Sequence, residues 1–272
     1  MKNAFRIVAV STALLLSCAS ADSGSLLISE DREIQMGGEY NSQLLQEMPV
    51  YTGDVRVNDY VTQVGNALAV NSGRPTLPYH FTVVDSEEIN AFAVMGGYVY
   101  VTTGLLRASA SGAEVATIVA HELGHVSARH GVRAMETYLI EKGLTDLLFQ
   151  GDQTRQLVQG ALSTLSLLTF SKDQEREADS LGVQYAAATQ WNPWGIIDFF
   201  TYLEDAGGGP SSGGVLSQIG ELFSTHPANP ERIANVTAEL EGMGIAKDDP
   251  DYRKGLPSED SGFAAMKAAL GG

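Results

Sequence analysis

The sequence predicts an α+β fold that is mostly helical and contains one small β-sheet. Three kinds of pattern support this prediction. Apolar residues recur at spacings of three and four in several segments, as they do on the buried face of a helix. Two capping boxes mark the starts of helices, and two short runs are rich in β-branched and aromatic residues.

The N-terminal half of the chain is predicted to hold two helices followed by two strands. The first helix covers about 29–48 and the second covers 55–70. Helical spacing is clearest in the second, at Val57, Tyr60, Val61, Val64 and Leu68. The strands cover 79–84 and 98–102. His80 falls in the first strand and is expected to have a structural role.

The C-terminal half is predicted to be helical apart from one flexible segment. Two of its helices begin with a capping box, in which a serine and a residue three positions later satisfy each other's backbone amides. These are Ser111–Glu114, with a helix to about His130 that Gly131 ends, and Ser171–Gln174, with a helix to about Thr189. Apolar spacing predicts further helices over 132–149, 154–169, 194–203 and 230–241. The glycine-rich segment 207–214 is expected to be the most flexible.

The N-terminus has the layout of a secretory signal. Lys2 and Arg6 precede a short apolar run that ends in Leu15-Leu16-Ser17-Cys18. This ending resembles the lipobox of bacterial lipoproteins, which implies a signal peptide over 1–17 and a lipidated tether over 18–28. Cys18 would then anchor the chain in the cell envelope, in the outer membrane facing the periplasm. The alternative is an ordinary signal peptide with an incidental cysteine.

Composition excludes several classes of protein. The formal net charge of −16 disfavours nucleic acid as a partner, because phosphate binding needs a basic face. A single cysteine excludes a disulfide scaffold and any cysteine-rich metal module.

Residues 121–125, His-Glu-Leu-Gly-His, predict a zinc site. Two histidines four positions apart on a helix differ by about 40° around its axis, so both can reach one ion. Imidazole is a preferred zinc ligand. Glu122 lies about 100° round the axis, beside the ion, where a base can take a proton from water. The alternative is a chance string on a solvated helix.

A third protein ligand is needed, and spacing alone leaves it open. On a continuous helix His130 would lie on the face opposite His121, so we expect it to be structural or on the surface. Glu175 and Asp179 share one face of a later helix. One of these carboxylates can bind zinc while the other holds a zinc-binding histidine.

These motifs resemble the HtpX, Oma and CAAX-prenyl-protease group of zinc metalloendopeptidases, and its soluble periplasmic lipoprotein members most closely. The pattern HExxH followed by ExxxD covers 121–125 and 175–179. The resemblance implies one zinc ion per chain held by His121, His125 and Glu175, with Asp179 supporting a ligand. It also implies a metallopeptidase domain over 29–242, leaving 243–272 as a C-terminal tail.

Two further segments carry the resemblance. Residues 90–101 are similar to the edge strand that flanks the active site in this group. An extended substrate would pair with its backbone, at Gly97, Tyr98, Val99, Tyr100 and Val101. The alternative is that 98–102 is a buried interior strand. Residues 226–233 resemble a late His-Pro segment, in which Arg232 would hold Asp179 or a lid.

The role of His226 stays open between three alternatives. The resemblance allows an oxyanion stabiliser or a fourth zinc ligand that keeps the enzyme latent, and a surface turn is the third. The function it implies is hydrolysis of peptide bonds in unfolded or misassembled envelope proteins, with Glu122 activating the water. The alternative function is a chaperone-like assembly factor for outer-membrane proteins, with proteolysis latent or secondary. Either function could involve the outer-membrane assembly machinery as a partner.

Overall fold

The computed structural model describes residues 27–145, 170–207, 226 and 230–271. Within these residues helices predominate, and three strands form one sheet. The elements in chain order are α1 (Glu30–Glu47), α2 (Val55–Ala69), β1 (His80–Val84), β2 (Ala91–Val94), β3 (Tyr98–Thr102), α3 (Thr103–Ala108), α4 (Gly112–Ser127), α5 (His130–Glu141), α6 (Lys172–Ala188), α7 (Gly195–Gly207), α8 (Pro230–Gly242) and α9 (Ser261–Ala269). The predicted α+β, mostly helical fold is confirmed.

The sheet is mixed, with the strand order β1-β3-β2. β1 runs parallel to β3, and β2 runs antiparallel to it on the other side. β3 is therefore the central strand, which contradicts the prediction that Gly97, Tyr98, Val99, Tyr100 and Val101 form an edge. Because both sides of β3 are paired within the sheet, its backbone cannot accept a further strand. The edge on the active-site side is β2, which packs against α4.

Helix α4 lies at the centre of the core. Every residue from Gly112 to Val126 is buried, so the helix has no solvated face. It packs most extensively against α6 and also contacts α2, α7 and the sheet. The His-Glu-x-x-His residues on this helix are therefore enclosed by protein. This excludes the alternative that they form a chance string on a solvated helix.

The C-terminal end of α4 differs from the prediction. The helix ends at Ser127, and Arg129 adopts a left-handed conformation with φ of 57° before α5 begins at His130. Gly131, predicted to end the helix, instead lies inside α5. Nε of Arg129 donates to the buried carboxylate of Glu33 at 2.9 Å, which holds the break in place.

The folded body is longer at both ends than the segment 29–242. At the start, Ile28 is 1% exposed, and its amide donates to the carboxylate of Glu136. At the end, Phe263 and Met266 on α9 are buried in the same core as α2 and α4. The structure therefore places the end of the folded body near Leu270, in the segment that the sequence assigned to a tail.

Several predicted segments lie partly or wholly outside the described residues. These are the signal and tether up to residue 26, the helix over 154–169, and residues 208–214 of the glycine-rich segment. α5 ends at Glu141, short of the predicted 149, and residues 146–149 are not described. In the part of the chain that is described, no helix has both the length and the apolarity to cross a membrane.

Candidate metal centre and active site

Two histidines of α4 form the first half of the site. The helix starts at a fixed point, because the Ser111 side chain caps it and the backbone carbonyl of Gly255 accepts from the Gly112 amide at 2.8 Å. Two turns later, His121 and His125 lie on one face, 4% and 3% exposed. Their Nε2 atoms are 3.1 Å apart, so the two rings point at one position.

Glu175 on α6 supplies the carboxylate. Ser171 and Gln174 form a complete capping box that fixes the start of this helix. Two glycines let α4 and α6 approach closely. A methyl group on Gly124 would lie 2.7 Å from the carbonyl oxygen of Ala178, and one on Gly182 would lie 3.0 Å from the amide nitrogen of His121. This close approach brings the Glu175 carboxylate within 3.5 Å of both histidines.

His226 lies in the same cluster, and its Nδ1 atom completes a four-atom set. This atom is 3.3 Å from Nε2 of His121 and 2.9 Å from Oε1 of Glu175. One potential ligand atom from each of His121, His125, Glu175 and His226 lies within 4.8 Å of every other. Its 4% exposure rules out the interpretation of His226 as a surface turn.

The donor set fits a zinc ion. Four atoms at about 2.0–2.1 Å from one zinc in a tetrahedron are about 3.3–3.4 Å apart. Five distances between nitrogen and oxygen atoms of these four residues, which involve both oxygens of Glu175, range from 2.9 to 3.5 Å. Three imidazoles and one carboxylate are also the ligand types that zinc prefers.

The electrostatics of Glu175 and His125 favour a bound cation. Burial raises the pKa of Glu175, but hydrogen bonds to His121, His125 and His226 outweigh it and hold the pKa well below its usual range. Burial lowers the pKa of His125 well below its ordinary value, which keeps the ring neutral as a ligand must be. The site therefore presents an ionised carboxylate beside a neutral imidazole.

Asp179 and Arg232 contact the candidate ligands from outside the cluster. Oδ1 of Asp179 lies 2.9 Å from Nδ1 of His121, on the side of the ring away from the cluster. Arg232 donates to both oxygens of Asp179, at 2.6 and 2.8 Å, and its Nη1 lies 2.9 Å from Oε2 of Glu175. Burial raises the pKa of Asp179, but the hydrogen bonds from Arg232 and His121 outweigh this effect and bring the pKa below its ordinary value. The bidentate ion pair therefore contacts two of the candidate ligands, His121 through Asp179 and Glu175 through Arg232.

Glu122 lies beside the cluster and outside the ligand set. It is 1% exposed, and Oε2 has no hydrogen-bond partner among the described residues. Burial raises its pKa, the largest effect on this group. The backbone amide of Ala93 in β2 is close enough to the carboxylate to lower the pKa slightly. A buried carboxylate with a raised pKa and a free oxygen can act as a proton acceptor.

His130 was predicted to be structural or on the surface, and it is buried, at 1% exposure. The expectation that it lies on the far side of a continuous helix is wrong, because the break at Arg129 turns it back towards the site. Its Nδ1 lies 2.9 Å from Nδ1 of His125, and its Nε2 lies 3.3 Å from Glu177. Phe170, which the sequence did not single out, stacks on the ring of His125 with ring centroids 4.1 Å apart. No glycine or proline at 128–129 signalled the break.

His80 and Cys18, also singled out from the sequence, are not part of the cluster as the structure describes it. His80 is exposed and stacks on Tyr98. Cys18 lies among the residues that the structure does not describe. The site is therefore built from α4, α6, His226 and Arg232 of α8.

A His-Glu-x-x-His helix, a carboxylate ligand from a following helix and a buried glutamate beside them define a zinc metallopeptidase. The sequence pattern of Peptidase family M48 matches residues 56–240, which is more than half of the chain, and the protein belongs to this family. The match spans α2 to α8 and includes all four potential ligands, His121, His125, Glu175 and His226.

Three relatives illustrate the similarity. The chain is 29% identical to a beta-barrel assembly-enhancing protease of Yersinia pestis over 78% of its own length and 45% of the relative's. It is 31% identical to mitochondrial metalloendopeptidase OMA1 of Arabidopsis thaliana, over 70% of this chain and 38% of the relative. It is 28% identical to metalloprotease LoiP of Escherichia coli, over 90% of this chain and 100% of LoiP. The chain thus spans less than half of the first two relatives.

Proposed function

We propose that the protein is a zinc-dependent endopeptidase with one catalytic zinc per chain, held by His121, His125 and Glu175. The observation that carries this proposal is the convergence of these three ligands with Glu122 placed beside them. A structural zinc site would need no buried carboxylate with a free oxygen next to the ligands. When bound, zinc polarises the scissile carbonyl and makes water more acidic.

Glu122 is the proposed base and acid of the reaction. Its carboxylate takes a proton from the attacking water and later delivers it to the leaving amine. Burial raises its pKa above the ordinary value of a glutamate, which makes the carboxylate a better proton acceptor. Arg232 and Asp179 keep His121 in one orientation throughout, because their bidentate pair is enclosed in protein.

The edge strand β2 is the proposed docking site for substrate. The amide of Thr102 donates to the carbonyl of Asn90, so the next bonded pair along the ladder is Phe92 with Tyr100. The amides and carbonyls of Ala91 and Ala93 therefore point away from β3. An extended polypeptide can pair with these groups next to Glu122, and the Ala93 amide then leaves the Glu122 carboxylate that it contacts in this structure. Backbone pairing selects extended segments rather than a side-chain sequence, so unfolded proteins are the proposed substrates.

His226 is proposed to act as an inhibitory fourth ligand rather than as an oxyanion stabiliser. Its Nδ1 lies at the position that an open catalytic site leaves to water. Its Nε2 lies 3.6 Å from the Glu122 carboxylate, on the approach to the base. Activity then requires His226 to move out of the cluster. In this proposal the enzyme is latent while His226 occupies the cluster.

The biological setting is proposed from the relatives and the N-terminal sequence. The Yersinia relative is named for enhancing beta-barrel assembly, which supports unfolded or misassembled envelope proteins as substrates and the outer-membrane assembly machinery as a partner. The ending Leu-Ser-Cys18 supports a lipid anchor in the outer membrane, facing the periplasm. The second candidate function, an assembly factor with secondary proteolysis, is favoured by the closed position of His226.

A degradation assay tests the proposal and separates the two candidates. Purified protein should contain one zinc per chain and should cleave a permanently unfolded reporter protein but not its folded form. Removal of zinc with a chelator should abolish cleavage, and added zinc should restore it. Zinc-loaded protein that binds the unfolded reporter without cleaving it, in wild-type and His226→Ala forms, would favour the assembly factor.

A further inference from the structure

We propose that His130 is a positioning residue for the zinc ligand His125, and that Glu177 in turn fixes His130. The three side chains form a chain of contacts that begins at the surface and ends at the ligand cluster. Nδ1 of His130 lies 2.9 Å from Nδ1 of His125, and Nε2 of His130 lies 3.3 Å from Oε2 of Glu177. The inference rests on the proposed zinc site and adds two residues to it.

Proton placement along this chain is determined by chemistry. His125 turns Nε2 towards the cluster, and a nitrogen that binds metal carries no proton. The proton of neutral His125 is therefore on Nδ1, which faces His130. Two Nδ1 atoms 2.9 Å apart can share one proton but cannot both carry one, so Nδ1 of His130 accepts. The proton of His130 then lies on Nε2, which faces Glu177.

Glu177 is the group that stabilises this arrangement. Its carboxylate can only accept when ionised, so it favours the form of His130 that carries the proton on Nε2. That form leaves Nδ1 of His130 free to accept from His125. The half-exposed Glu177 side chain thus sets the tautomer of a ligand that is 3% exposed.

The helix break makes this contact possible. On a continuous helix, a residue five positions after His125 would be about 140° away around the axis and could not meet it. The left-handed conformation of Arg129 redirects the chain so that His130 starts a new helix and faces back. Arg129 is held by Glu33, and its Nη2 also donates to the carbonyl of Ile28 at 2.6 Å. The strained residue is therefore stabilised by buried contacts.

The two zinc histidines are supported in parallel ways. Asp179 lies against the outer nitrogen of His121, and His130 lies against the outer nitrogen of His125. The carboxylate of Asp179 contacts His121 directly, whereas the imidazole of His130 lies between His125 and the carboxylate of Glu177. Groups that orient a metal ligand in this manner commonly change metal affinity by about 10–100-fold when they are removed.

A matched pair of variants tests the proposal. In asparagine Oδ1 is bonded to Cγ, as Nδ1 is in histidine, so His130→Asn keeps an acceptor for His125, whereas His130→Leu removes it. Zinc affinity, measured by competition with a chromogenic chelator, should fall about 10-fold or more in His130→Leu and by less than about threefold in His130→Asn. His80→Leu, which removes an exposed histidine away from the cluster, should leave the affinity unchanged.

Nitrogen-15 NMR of histidine-labelled, zinc-loaded wild-type protein provides a second readout that needs no variant. The expected spectrum shows His125 protonated on Nδ1 alone and His130 protonated on Nε2 alone. Wild-type affinity in His130→Leu, or a His130 proton on Nδ1, would overturn the positioning role while leaving the zinc site intact. Wild-type protein that binds no zinc would overturn the proposed site and the positioning role together.

Discussion

Nδ1 of His226 lies 2.9 Å from Oε1 of Glu175, at the fourth position of the candidate zinc site. This contact gives the first prediction. His226→Ala should raise the rate of cleavage of an unfolded reporter about tenfold, the rise expected when about a tenth of wild-type molecules are open. The variant should retain one zinc, because three ligands remain. A fall in rate at unchanged zinc content would instead show that His226 assists catalysis.

The second prediction concerns the buried pair of Asp179 and Arg232. Arg232→Ala leaves the Asp179 carboxylate buried without its cation, and we expect a loss of about 3–5 kcal/mol in the free energy of unfolding, measured with urea in chelator. Lys172→Ala, which removes an exposed ion pair to Glu231, is the matched control and should change stability little. Equal effects of both substitutions would contradict the supporting role of Arg232.

The same pair predicts a dependence on pH. Because the folded pKa of Asp179 is below that of an unfolded aspartate, about 3.9, the pair stabilises the fold fully above that value. The contribution is lost as the pH falls through the folded pKa. The difference in stability between wild type and Arg232→Ala should therefore shrink as the pH is lowered from neutrality. A difference that grows on acidification would refute this assignment.

The third prediction tests the close approach of α4 and α6. Gly124→Ala places a methyl group 2.7 Å from a backbone oxygen of α6, so the helices must separate. We expect a loss of about 1–3 kcal/mol in stability and weaker zinc binding, since Glu175 moves away from the histidines. Gly242 lies at the end of α8, and no atom lies within 4 Å of a methyl group added there. Gly242→Ala should therefore change neither stability nor zinc affinity. Zinc affinity equal to wild type in Gly124→Ala would argue against this constraint.

The fourth prediction tests substrate docking on β2. Ala93→Pro removes an amide that points away from β3, so the sheet should survive, as edge strands tolerate proline at such positions. Loss of one hydrogen bond to substrate should lower kcat/KM for an unfolded reporter about two- to tenfold, mainly through KM. Ala93→Ser keeps the amide and serves as the control. Unchanged KM in the proline variant, with the fold verified by circular dichroism, would exclude docking through this amide.

The proposed ligands His121 and His125 could be predicted from sequence because their geometry is local, whereas the choice of Glu175 over Asp179 came only from the family resemblance. Two histidines four apart share a helix face, and Glu175 and Asp179 share another, whatever surrounds them. His226 could be singled out only by resemblance, because a lone histidine after a glycine-rich segment carries no geometric signal.

Features that depend on long-range packing could not be predicted. The order of the strands is not encoded in the alternation of any one strand, so β3 was mistaken for an edge. Arg129 has no sequence signal for a left-handed conformation, which is imposed by distant Glu33 and Ile28. The C-terminal segment lacks strong periodicity, yet Phe263 and Met266 pack into the core.

The most direct test of the proposed catalytic site is the Glu122→Gln substitution, made in wild-type and His226→Ala backgrounds. Glutamine keeps the size of the side chain but cannot take a proton from water. Metal content by mass spectrometry should remain at one zinc per chain, and cleavage of an unfolded reporter should fall by about 10²–10⁴-fold in both backgrounds. Cleavage by zinc-loaded Glu122→Gln at the rate of its parent would contradict the role of Glu122 as the base.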